Sequence, residues 1–94
     1  MHKEKIEYVA NVLKALGHPT RIEMVSTIVQ QGRCNVTFLE ERLNLKQSNT
    51  SQHLNCLKNV GIVNIEREGN ENYYEISDSV KEYIHFLIAI VQQN

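Results

Sequence analysis

Ninety-four residues make one small domain, 1–94, and 41% hydrophobic with 22% charged residues is the balance of a globular chain rather than a disordered one. One proline and four glycines exclude collagen-like or linker-rich architectures, two cysteines exclude a disulfide scaffold, and a formal net charge of −1 means that any affinity for nucleic acid must come from local charge. The opening MHKEKIEY does not read as a signal peptide and the longest apolar-rich stretch, 86–91, falls far short of the ~20 residues a bilayer needs, so a cytoplasmic protein with reduced thiols is expected.

Over 6–16, Ile6, Val9, Leu13 and Leu16 recur at helical spacing and Val12 widens the stripe. Gly17 suits the end of that helix and Pro19 the first turn of the next, which spans about 19–30 with Ile22, Met24, Val25, Ile28 and Val29 on one broad arc. Gly32 ends it. Thr37-Phe38-Leu39-Glu40 fits a capping box, so a short third helix is expected from Thr37 to about Leu43. After Asn44-Leu45-Lys46 a polar fourth helix covers 47–59, with Thr50, Leu54 and Leu57 on one side and Ser48, Gln52, Asn55 and Asn59 on the other.

Gly61 closes this helix and the period changes from 3.6 to 2. Val63 and Ile65 alternate with Asn64 and Glu66, and Tyr74 and Ile76 alternate with Tyr73 and Glu75. A two-residue turn at Gly69-Asn70 pairs Ile65 with Tyr74 and Val63 with Ile76, which puts four apolar side chains on one face. The tip, 66–72, is polar enough to project into solvent. A last helix over 80–91 is apolar round more than half its wheel, more surface than one small core buries, so a second copy of the chain is expected to cover the remainder. The order is that of a mainly helical (α+β) winged helix-turn-helix: four helices, a β-hairpin and a final helix.

The fourth helix lies in a stretch, 42–65, that contains no acidic residue and three basic ones, Arg42, Lys46 and Lys58. Asn and Gln pair bidentately with adenine, Ser and Thr bond to base edges or phosphates, and a helix start at Gln47-Ser48 presents backbone amides to a phosphate. The bland alternative is a solvated polar face. Arg67 in the hairpin tip is a candidate backbone or minor-groove contact, against which stand its neighbours Glu66, Glu68 and Glu71.

Leu13-Lys14-Ala15-Leu16-Gly17-His18-Pro19-Thr20-Arg21-Ile22 resembles the start of the second helix in the ArsR/SmtB family of bacterial winged-helix repressors. The likeness continues through Leu43–Leu54, through Leu57-Lys58-Asn59-Val60-Gly61-Ile62-Val63 and into Arg67-Glu68-Gly69 with Tyr73-Tyr74, roughly residues 9–77 in all. It implies a homodimer built on the first and last helices, with Ile6, Val9, Leu13, Tyr83, Leu87, Ile90 and Val91 at the interface. It also implies a repressor that leaves its operator when an inducer binds. Lys46, Gln47, Ser48, Ser51, Gln52 and Asn55, with Arg67 in the wing, become the candidate DNA-binding residues. Lys46 replaces the family's usual Ser or Thr and exchanges a helix cap for a phosphate contact.

Neither of the family's known metal sites matches by residue identity. The Cys-x-Cys box falls on Asn35 and Thr37, and although Asp78 matches the first ligand of the last-helix site, Val80 and Val91 stand where its two histidines belong. No metal or other cofactor is therefore expected. His18 reads as a helix-start residue, His53 as packing against the third helix, and His85 as a solvated side chain. Cys34 and Cys56 form a candidate redox pair if the fold brings them together, since some family members sense oxidants through paired cysteines; the alternative is two separate small hydrophobes.

The leading reading is thus a dimeric repressor on a palindromic double-stranded DNA operator. The alternative is a winged-helix adaptor or anti-repressor that holds a protein partner on its apolar last helix. An enzyme is third: no catalytic order of Ser, His and Asp, no paired carboxylates and no phosphate-cradling glycine loop is present, and Cys56 with His53 is a weak thiol pair.

Overall fold

Each break in the helical periodicity becomes a turn with its own local chemistry. A computed structural model describes residues 2–93 as α1 (Lys3–Leu16), α2 (Pro19–Gln31), β1 (Cys34–Asn35), α3 (Val36–Leu43), α4 (Gln47–Asn59), β2 (Val63–Glu68), β3 (Glu71–Ile76) and α5 (Lys81–Ile88). His18 caps α2, its Nδ1 accepting the Thr20 N–H at 3.1 Å, and Pro19 follows where no amide donor is needed. Asn44 takes the left-handed conformation, φ 53°, that lets α3 stop and α4 start at a new angle. Gly61, φ +83°, makes the corresponding turn from α4 into the hairpin. Gly17 ends α1 at an ordinary φ of −80°, so it does not supply the left-handed backbone of a typical glycine stop.

The start of the third helix differs from the capping-box expectation. Asn35, not Thr37, is the N-cap: its Oδ1 accepts the Phe38 N–H at 2.8 Å and the helix begins at Val36. Thr37 lies exposed within the first turn, and Glu40 does not reach back; its Oε2 is buried without a hydrogen-bond partner among the described residues. The reason is tertiary. Cys34 and Asn35 form a strand against Tyr74 and Tyr73, so the chain is still extended at Asn35 and helical immediately after it. This short strand was not evident from the sequence, because two residues carry no period.

The sheet order is β1-β3-β2, antiparallel throughout, and Val63 faces Ile76 and Ile65 faces Tyr74 as expected. Gly69, φ +62°, occupies the first central position of the hairpin turn, as a type II′ turn requires. Of the four apolar side chains on one face, Val63, Tyr74 and Ile76 are buried and Ile65 is 38% exposed, since the hairpin leaves the core at that point. The last helix is shorter than expected: Val80 is its buried N-cap and residues 89–92 form turns.

At the centre lies α2, which packs against every other helix and against β1 and β3. Met24, Val25 and Ile28 are fully buried there, with Leu39 from α3, Leu54 and Leu57 from α4, and Ile84 from α5 around them. Leu39→Ala is expected to cost about 2–5 kcal/mol, because it empties a fully buried site between two of these helices. Urea unfolding would register it as a lower midpoint at unchanged slope.

Candidate nucleic-acid interface

The buried side of α4 decides which residues its other side offers. Thr50, Leu54 and Leu57 face the core, and the Thr50 hydroxyl donates to the Lys46 carbonyl at 2.9 Å, so no polar atom of this side is wasted. Gln47, Ser48, Ser51, Gln52 and Asn55 are exposed on the opposite side, and among the described residues their side chains make no internal hydrogen bond. Lys46 is the N-cap, extended in backbone, and its side chain makes no capping bond. The first-turn amides of α4 therefore face outward with a lysine beside them, and the exposed face carries donors and acceptors that match base edges and phosphates.

The angle of this helix is held from α2. Arg21 Nε donates to the Ala15 carbonyl at the end of α1, and its Nη1 stands 3.3 Å from Nδ1 of His53 on α4. The His53 ring also lies 4.6 Å from that of His18. His53 thus meets α2 and its cap, contacts the sequence did not suggest. Three elements meet on one arginine that the sequence analysis did not single out as a functional residue.

Strand alternation resolves the apparent conflict in the wing. Arg67 faces Asn72 across the hairpin, on the same face as Val63, Ile65, Tyr74 and Ile76, and its guanidinium donates to the Asn72 side-chain oxygen at 3.4 Å. Glu66, Glu68 and Glu71 point to the other face. In sequence the acids surround Arg67; in the sheet a strand's thickness separates them from it.

The sequence profile of the bacterial regulatory protein, arsR family, matches residues 18–64, the segment from the α2 cap to the first strand of the wing. An HTH-type transcriptional regulator of Methanocaldococcus jannaschii is 40% identical over 82 residues, 86% of this chain and 92% of that one. This chain belongs to the arsR family. The transcriptional repressor PagR of Bacillus anthracis is 36% identical over 93 residues, covering 94% of this chain and 93% of PagR. Among solved structures, HlyU from Vibrio cholerae superposes with a TM-score of 0.86 at 31% identity over 99% of this chain and 100% of HlyU. A homodimeric winged helix-turn-helix DNA-binding domain from Mycobacterium bovis gives 0.77 at 30% identity over 95% of this chain and 79% of its own. The fold is accordingly a winged helix-turn-helix, with α3 and α4 as the helix pair and β2–β3 as the wing.

In this arsR-family chain the positions of the Cys-x-Cys box hold Asn35, engaged in capping α3, and Thr37, exposed on its first turn. Val80, in place of a histidine, is buried, and Val91, in place of the other, is exposed. Among the described residues no group of three or more His, Cys, Asp or Glu is placed to hold a metal ion. Both thiols are free: Cys34 is buried in β1, and Cys56 is half-buried on α4 against the core. Burial pushes the Cys34 thiol up to about 11, which leaves almost no thiolate near neutral pH and makes it a poor nucleophile. No helix among the described residues is long and apolar enough to cross a membrane.

The apolar residues assigned to the dimer face are on the surface. In α1, Ile6, Val9 and Leu13 are 50–57% exposed, and at the C-terminal end Tyr83, Leu87, Ile90 and Val91 are 42–69% exposed. Phe86, at 79%, joins the second group.

Burial, then His18, then Arg21 hold the His53 imidazolium below its ordinary range. The unfolded chain therefore takes up this proton more readily than the folded one, so the stability His53 contributes is complete above pH ~6.5 and is lost as the pH falls below that value. Urea midpoints are expected to fall between pH 7.5 and 5.5, and His53→Gln to flatten that slope.

Proposed function

We propose that this arsR-family protein is a cytoplasmic transcriptional repressor that binds a palindromic DNA operator as a homodimer. The observation that carries the reading is the outward face of α4: a row of amides and hydroxyls with no carboxylate, with Lys46 at its start. In this reading Gln47, Ser48, Ser51, Gln52 and Asn55 enter the major groove, Lys46 neutralises a phosphate at the groove edge, and Arg67 reaches the adjacent backbone or minor groove. The exposed apolar faces of α1 and α5 supply the dimer contact, and a two-fold partner sets the two α4 helices about one helical turn, ~34 Å, apart. The repressor role of PagR and the homodimeric state of the Mycobacterium bovis domain support both parts. Of the two cysteines, Cys56 is the one an oxidant reaches first, because Cys34 is buried and protonated.

The test is fluorescence anisotropy with a duplex selected from a random pool, set against an unselected duplex. Gln52→Ala is expected to weaken the selected duplex by about 1–3 kcal/mol and leave the unselected one nearly unchanged. Lys46→Ala is expected to weaken both and to reduce the slope of log K against log salt by about one. Equal losses on the two duplexes for Gln52→Ala contradict its base-reading role. Sedimentation tests the dimer: Ile90→Glu is expected to give a folded monomer with reduced affinity for the palindrome, and an unchanged dimer moves the interface elsewhere.

A further inference from the structure

The wing leaves the body of the protein with little beneath it. Its base is held by the burial of Val63, Tyr74 and Ile76 and by two pairs with β1, Cys34 with Tyr74 and Asn35 with Tyr73, but residues 65–72 are all exposed. A bare two-stranded hairpin is at best marginally stable in water, so backbone pairing alone does not give such a tip a defined angle. What holds it is on the acidic face. Arg33, in the connection between α2 and β1, hydrogen-bonds through Nη2 to Glu68 Oε2, brings Nη1 to 4.0 Å from Glu66 Oε2, and lays its guanidinium 4.3 Å from the centre of the Tyr73 ring. Beside it, Asn35 Nδ2 donates to Glu71 Oε1 at 3.2 Å and the Tyr73 hydroxyl donates to Glu71 Oε2 at 3.1 Å. Two of the three carboxylates of the tip are thereby hydrogen-bonded, and the third, Glu66, has the Arg33 guanidinium at 4.0 Å. Asn35 spends its other amide atom on the first turn of α3, so the same network ties the wing to the helix-turn-helix.

We propose that Arg33 is the positioning residue of the wing, acting through Glu66 and Glu68 to fix the hairpin beside α4 and to neutralise the two carboxylates that flank Arg67. A single exposed ion pair is worth little, but one planar fork shared by two carboxylates and stacked on an aromatic ring constrains direction as well as distance. Arginine is needed for this; a lysine keeps the charge and loses the fork and the stack. The inference rests on the wing touching DNA, and its test separates the two claims.

Arg33→Gln, Arg33→Lys, Glu66→Gln with Glu68→Gln, and Arg67→Ala are compared by ¹⁵N relaxation of the wing amides without DNA and by anisotropy with the selected duplex. In Arg33→Gln the order parameters of residues 66–72 are expected to drop from the rigid range near ~0.85 toward ~0.6, as they do for the native protein in about 1 M salt, with Arg33→Lys between. DNA affinity is expected to fall about threefold to tenfold in Arg33→Gln, and by less than about twofold when the same change is made in the Glu66→Gln/Glu68→Gln background. Unchanged wing order in Arg33→Gln overturns the proposal. So does an equal loss of affinity in both backgrounds, which makes Arg33 a direct phosphate contact. Loosened amides together with no effect of Arg67→Ala on affinity uphold Arg33's hold on the wing and overturn the wing's contact with DNA.

Discussion

The burial of α2 is the constraint on which the rest of the molecule depends. Its apolar arc is wide enough to serve every other helix and two of the three strands at once, so Met24, Val25 and Ile28 fix where α3, α4, α5 and the sheet can lie relative to one another. Arg21 adds direction to this packing. It sits on the same helix, bonds to the end of α1, and meets His53 of α4, so the rotation of α4 about its axis follows from the position of α2. A reading helix needs that kind of support, because base contacts depend on side-chain placement within fractions of an ångström, while hydrophobic burial by itself tolerates sliding.

Charge is distributed by the same economy. The chain is slightly acidic overall, yet the segment 42–65 that contains α4 has no carboxylate and the tip of the wing sorts its charges by strand parity. One face keeps Arg67 with the apolar row, and the other keeps the three glutamates: Arg33, Asn35 and Tyr73 hydrogen-bond Glu68 and Glu71, and Glu66 lies 4.0 Å from the Arg33 guanidinium. Low net charge therefore does not conflict with an anionic partner. It reduces nonspecific attraction and leaves recognition to a small oriented surface.

Cys34 shows how a residue's chemistry follows from its place. A cysteine beside a helix start reads as a sensor candidate, but in β1 it is pressed into the core and its thiol stays protonated. Asn35, next to it, would have passed for an ordinary turn residue, and it both caps α3 and reaches the wing. Two adjacent residues thus take opposite roles for a reason that is not local: alternation along a two-residue strand turns one side chain inward and the next outward.

Much of the architecture was legible in the sequence, because its signals are short-range. Helical spacing marked α1, α2 and α4, Pro19 and Gly61 marked turns, and the switch to a period of two with Gly69-Asn70 gave the hairpin and its register without error. The polar face of α4 was equally readable, since a wheel needs only the sequence and a period. The start of α3 was not, because pairing of Cys34 and Asn35 with β3, some forty residues away, outcompeted a local capping box. Nor could spacing show that His53 belongs with Arg21 and His18, or that Arg33 reaches the wing from 35 residues upstream. Local propensity and periodicity determined which elements form and what each exposes. Which side chains from distant segments meet, and so how α4 and the wing are aimed, was decided only when burying α2 brought those segments together.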